Sequence, residues 1–99
     1  MKVWLSPQAK AEATRIILWW RTNRDEQNFF EDELRAALAR LGAMPGIGLR
    51  VQQSEAGRIV RRFSMRRARH YLFYEVLEEQ QLVRVLHIWH ASSGGEPSL

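Results

Sequence analysis

Three runs, residues 58–65, 70–78 and 82–90, are rich in Ile, Val, Phe, Tyr and Trp, and only short polar connections such as "EEQQ" separate them. Branched and aromatic side chains suit a pleated surface, and parallel neighbours need a crossover of roughly a dozen residues or more. No such length is available between these runs, so the C-terminal half reads as an antiparallel meander. In the middle run Leu72, Tyr74 and Val76 share one face and Tyr71, Phe73 and Glu75 share the other. The last run, "LVRVLHIWH", is apolar at both parities, which suits a central strand covered on each side.

The N-terminal half has a different period. "KVWLS" is a short strand that ends where a helix begins: Ser6 can cap the first turn, and Pro7 fits the first helical position, where its missing N–H costs nothing. Ala9, Ala13, Ile16 or Ile17, and Trp20 then recur at helical spacing, with Lys10, Arg15 and Arg21 on other faces. Trp19 and Trp20 are adjacent and cannot face the same core, so one is partly exposed. "TNRDEQN" interrupts this helix. Phe30, Leu34, Leu38 and Leu41 form the stripe of a second one, which Gly42 and Pro45 close. Two helices so close in sequence make an antiparallel hairpin. "AMPGIGL" follows as a loop, and residues 92–99, "SSGGEPSL" at the end, read as a flexible tail.

At 99 residues the chain is expected to form a single α+β domain, 1–99, in the order β-α-α-β-β-β. No apolar run approaches the ~20 residues of a membrane helix, the start lacks the pattern of a secretory signal, and there is no cysteine. A cytoplasmic protein without a membrane role is expected. The net charge is +4, carried almost wholly by arginine, with lysine only at positions 2 and 10. Arginine's planar fork matches phosphate and carboxylate and stacks on flat rings, so this usage favours recognition. Six arginines (58, 61, 62, 66, 67 and 69) and no acid lie between Arg58 and His70, whereas residues 25–33 hold Asp25, Glu26, Glu31, Asp32 and Glu33. That asymmetry predicts one basic face.

Four segments, "VWLSPQAKAEATRII", "MPGIGLRV", "VRRFSMRRARHYLFYEV" and "VLHIWHASSGGEP", resemble in order and spacing the RelE/ParE family of bacterial toxins from type II toxin–antitoxin modules, and together they span nearly the whole chain. The resemblance implies a strand and helical hairpin packed on one face of a twisted antiparallel sheet, with a groove on the other. It also implies growth arrest, a role in plasmid stabilization, and a hetero-oligomer with a cognate antitoxin encoded by an adjacent gene. RelE-like members cut messenger RNA on the ribosome; ParE-like members poison DNA gyrase. Three functions are carried forward: a ParE-like gyrase inhibitor, a RelE-like ribosome-dependent mRNA endonuclease, and an inactive module that only binds its antitoxin.

A metal-independent endoribonuclease needs a base, an acid and cations around one phosphate. Arg61, Arg66, Arg67 and Arg69 are candidates for charge, and His70, Tyr74, His87 and His90 for proton transfer; Arg61, Arg67, Tyr74 and His90 make the catalytic set if the chain is a nuclease. For binding a target or antitoxin, the candidates are Arg61, Arg62, Arg66, Arg67, Arg69, Tyr71, Trp89 and His90. The arginines also fit an ordinary solvated strand face, His90 a hydrogen-bonding strand end, and Tyr71 and Tyr74 plain packing. Three histidines without a nearby acid or an i, i+4 pair disfavour a metal site, and no cofactor is expected. Against the nuclease pattern, no lysine follows position 10; and Ser93 stands before Gly94 where the family often has arginine, which weakens this copy if that arginine contacts the target. The lysines' absence and the closing "IWH" tilt the resemblance toward the gyrase-directed branch.

Overall fold

The structure, a computed structural model, describes residues 1–53 and 56–98. Strand β1 (Lys2–Leu5) leads into helix α1 (Pro7–Asn23), and helix α2 (Phe29–Ala43) turns back beside it. Strands β2 (Leu49–Gln53), β3 (Ile59–Met65), β4 (His70–Leu77) and β5 (Leu82–His90) follow, and a short 3-10 turn covers Ala91–Ser93. The three strands expected from the apolar runs are present within a residue of their expected ends.

The five strands form one sheet in the order β1-β5-β4-β3-β2. The sheet is mixed, not antiparallel throughout, because β1 runs parallel to β5, with Val3 opposite Val83 and Leu5 opposite Val85. This pairing turns β5 into an interior strand between β1 and β4, which accounts for its apolar side chains at both parities. β2 is an addition to the expected order. Four of its five residues are exposed, so this edge strand has almost no apolar signature to read.

Ser6 caps α1 as expected, its Oγ accepting from Ala9 N at 3.1 Å. The same hydroxyl donates to the Leu86 carbonyl at 2.9 Å. Leu86 is the extra residue of a bulge, since Phe73 faces His87 while the next residue, Tyr74, faces Val85. One serine thus ties the start of the helix to the irregular point of β5. At the end of α2, Gly42 lies inside the helix and Met44 is the cap. Glycine there permits close approach: a Cβ on Gly42 would lie 2.9 Å from the Met1 carbonyl oxygen.

Both helices cover one face of the sheet. Ala9 and Ala13 of α1 and Phe30, Leu34, Ala37 and Leu41 of α2 are buried against Leu72, Tyr74, Val83, Val85 and Ile88. Each large aliphatic or aromatic side chain sealed here contributes about 1.5–3 kcal/mol of transfer free energy. Of the two tryptophans, Trp20 packs on the core and against Phe29, with ring centroids 5.2 Å apart, while Trp19 stays 48% exposed. The opposite face of the sheet carries no helix and is called the open face below.

Candidate functional site

Alternation along β3 sends its two adjacent arginines to opposite sides. Arg61 is paired with Tyr74 on the helix side and Arg62 with Phe73 on the open face. Arg61 Nη1 donates to the carbonyls of Gly48 at 2.9 Å and Gly46 at 3.3 Å. The Tyr74 hydroxyl donates to the Pro45 carbonyl at 2.7 Å and accepts from Gly48 N at 2.9 Å. A side chain at Gly48 would collide with this phenol, since a Cβ would sit 2.7 Å from the hydroxyl oxygen. Burial pushes the Tyr74 phenol up, only partly opposed by the Gly48 hydrogen bond and the charge of Arg61. Together these two residues fasten the "PGIG" loop to the sheet, with the hydroxyl engaged as donor and acceptor.

The open face is organised around an acid. Glu75 is only 1% exposed, yet it sits on the uncovered side of β4, one carboxylate oxygen bonded to Arg58 Nε at 2.9 Å and the other to Arg84. Arg84 in turn lies 6.0 Å from the Trp4 ring, and Arg62 stacks 4.5 Å over Tyr71. Trp89 is the cross-strand neighbour of Tyr71. The indole Nε1 of Trp89 and Nε of Arg84 are buried without hydrogen-bond partners among the described residues.

The remaining arginines of the cluster lie on the β3–β4 turn, where Arg69 takes a left-handed conformation (φ 56°). Arg67 reaches across to α2, 3.7 Å from Glu33 and 5.3 Å from the centre of the Phe29 ring. The acidic segment expected to stand apart from the arginines is therefore partly paired with them, and the basic stretch does not form one continuous face. Arg66 and Arg69 are exposed.

Beside this turn the histidines separate into distinct environments. His70 is buried, its Nδ1 donating to the Ala68 carbonyl at 2.7 Å and its ring packed 5.1 Å from Phe30 and 4.8 Å from His90. Burial pushes its pKa below 6.5; the Ala68 hydrogen bond opposes this, and nearby His90 and Arg15 add to it. His90 is exposed, and its Nδ1 accepts from Ser92 N at 3.1 Å. His87 Nδ1 stands 3.3 Å from Glu12, whose other oxygen accepts from Ile88 N at 2.9 Å.

Between α1 and the β3–β4 turn lies a cleft of about 750 Å³ whose walls include Arg15 and Trp19 from the helix, Arg24 just after it, Arg67 from the turn, His70 at the start of β4, His90 at the end of β5 and Ser93 beyond it. Arg24 lies over both tryptophan rings, 5.5 Å from Trp19 and 5.6 Å from Trp20. The four candidate catalytic residues thus fall into two groups at opposite ends of the strands. Arg61 and Tyr74 hold the loop end, and Arg67 and His90 border the cleft. Tyr74 lies four residues along β4 from His70, the neighbour of His90, a distance of about 13 Å. Arg15, Arg24, Glu75 and Arg84 were not among the candidates read from the sequence. A carboxylate inside an apolar strand, at Glu75, was a usable signal, because a buried acid demands cations.

Among the described residues no group of three or more His, Cys, Asp or Glu could hold a metal ion, and no helix is long and apolar enough to cross a membrane. Two helices on one face of a five-stranded sheet define a small α+β domain. A chain of the intact E. coli RelBE toxin–antitoxin complex matches it with a TM-score of 0.61 at 19% identity, over 91% of this chain and 95% of that one. The family model for the ParE toxin of type II toxin–antitoxin system, parDE, matches residues 3–94, and the chain belongs to that family. No curated protein matched this chain.

Proposed function

We propose that this chain is the toxin of a type II module that arrests growth by inhibiting DNA gyrase and is silenced by a cognate antitoxin encoded by an adjacent gene. The family match supports the toxin assignment, and the solved RelBE complex supports an antitoxin partner. One observation weighs against message cleavage by the full catalytic set read from the sequence: Arg61 and Tyr74 do not converge with Arg67 and His90. Phosphodiester cleavage needs an acid, a base and cations around one phosphate. Here the Tyr74 phenol and Arg61 guanidinium are bonded to the Pro45–Gly48 loop, about 13 Å along the sheet from the His70–His90 pair. His70 is mostly buried and packs edge-on against Phe30, and His87 is paired with Glu12.

A surface that grips a protein target has no such requirement. The open face, with Arg62 on Tyr71, neighbouring Trp89 and half-exposed Trp4, offers aromatic anchors and arginine, the residue types that dominate protein interfaces. Purified chain should block gyrase supercoiling and trap cleaved DNA while leaving ribosome-bound message intact. Message cut on the ribosome with normal supercoiling would establish the nuclease instead. Unaffected growth at high soluble expression would leave the inactive antitoxin-binding module, and restored toxicity in Ser93→Arg would trace the loss to that position.

A further inference from the structure

We infer that the cleft between α1 and the β3–β4 turn is a binding site for a nucleoside triphosphate, whose phosphates the rim arginines hold and whose base lies on Trp19. The cavity, about 750 Å³, falls within the ~300–1,000 Å³ of small-molecule sites. It holds positive charge that nothing internal balances. Among the described residues Arg15, Arg24 and Arg69 form no ion pair, and Arg67 has only a 3.7 Å contact with the α2 acid Glu33. Glu12, the cleft's own carboxylate, accepts from Ile88 N and stands against His87. The cations also draw together. Burial lowers the His70 pKa most, and the charges of His90 and Arg15 lower it further, so Arg15 acts across the cleft on the strand that begins just after Arg67 and Arg69. A guanidinium fork takes phosphate oxygens in pairs, and four forks around one hollow suit a compact chain of phosphates better than a single anion.

Charge is only half of the lining. The floor is apolar, formed by Ile16, Trp20, Ala68 and Ile88, and Trp19, 48% exposed, stands on the wall one helical turn beyond Arg15. Arg24 lies over both indoles and steadies them by cation–π contact. A ligand that meets both halves carries several negative charges at one end and a flat ring at the other. A nucleoside triphosphate has that form, whereas a bare polyphosphate leaves the indole and the floor uncovered. Among the described residues the lining has no amide side chain, and its one carboxylate is engaged, so the base is held by stacking and not read at its edge.

The test titrates ATP labelled on its ribose into the purified chain in magnesium-free, low-salt buffer and competes it with unlabelled ATP, GTP, AMP and inorganic tripolyphosphate. ATP and GTP should bind within about threefold of each other, and AMP and tripolyphosphate each at least about tenfold more weakly than ATP. Arg15→Gln/Arg69→Gln should weaken ATP binding at least about tenfold, with the loss shrinking as salt is raised. Trp19→Leu, which keeps apolar bulk and removes the ring, should weaken it about fivefold or more, and Arg50→Gln, an equal charge change at the far sheet edge, should stay within about twofold. If the double variant melts early, Arg24→Gln replaces it, with the same loss expected at reduced size. Tripolyphosphate bound as tightly as ATP would make the cleft an unselective anion trap and overturn the proposal. Wild-type affinity for ATP in the cleft variants, or no binding of millimolar ATP by the wild-type chain, would overturn it as well. A ten-nucleotide oligouridine bound more than about tenfold tighter than ATP, and lost in the same variants, would assign the cleft to a nucleic-acid strand instead.

Discussion

The open face and the helix-side cleft are both rich in arginine, but they handle the charge in opposite ways. On the open face the single carboxylate of Glu75 engages both Arg58 and Arg84, and beside them the surface is aromatic. In the cleft, Arg15, Arg24, Arg67 and Arg69 gather around an apolar floor, and its one acid is turned inward. Counting arginines in a sequence treats the two regions alike. The difference lies in where each guanidinium finds its carboxylate, and a surface with its charges already paired offers shape and hydrophobicity to a partner, whereas one with free charges offers attraction at a distance.

The strongest way to break the comparison is to remove the acid. Glu75→Ala leaves two guanidiniums around a buried position with no counter-charge; breaking a buried pair costs about 3–5 kcal/mol, and the lower end applies because both arginines are partly solvated. Denaturant unfolding should show that loss, and a change under ~1 kcal/mol would mean that the Glu75 pairs matter little to the fold. Tyr74→Phe is the next largest. It strips the Pro45 and Gly48 bonds from the loop and should cost about 1–3 kcal/mol, yet leave inhibitory potency per folded molecule unchanged. A potency collapse in a folded Tyr74→Phe protein would restore the phenol as a proton donor.

A smaller, pH-dependent effect distinguishes the cleft. Because burial holds His70 below its ordinary 6.5, the unfolded chain takes up a proton there more readily than the folded one. This site therefore leaves stability unaffected above about pH 7 and lowers it as pH falls through 6.5 toward the depressed value. His70→Gln should flatten the slope of unfolding free energy between pH 7 and pH 5, whatever it does to the absolute value. An unchanged slope would mean that His70 titrates as freely folded as unfolded. The mildest expected change is Ser93→Arg, which adds a cation to the cleft rim and should tighten nucleoside triphosphate binding by about two- to threefold at low salt and less at high salt.

Much of the fold was legible because local patterns carried it. Ser6 and Pro7 announced the start of α1, the Phe30, Leu34 and Leu41 spacing announced α2, and the dense β-branched and aromatic runs placed β3, β4 and β5. β2 was not legible, because an edge strand with four exposed residues has no alternation to reveal it. The parallel partnership of β1 with β5 escaped for another reason: four residues pair with four others some eighty positions away, and nothing local to either says which neighbour it takes. The candidate site was legible by residue type more than by grouping. Arg61 and Tyr74 were marked together with Arg67 and His90, although the length of β4 keeps those pairs apart.

Residue order alone determined that this chain makes a helical hairpin and a run of strands, because capping, helical spacing and strand-forming side chains act over a few positions. It also determined that arginine supplies the charge. Only the tertiary structure decided which arginines remain free. The sheet's alternation sends Arg61 and Arg62 to opposite faces, the buried Glu75 gathers in Arg58 from just before β3 and Arg84 from β5, and the packing of α1 over β5 brings Arg15 and Arg24 to the turn that carries Arg67 and Arg69. Electrostatic pairing depends on distance in space, and α1 and β5, far apart in sequence, meet only in the folded molecule.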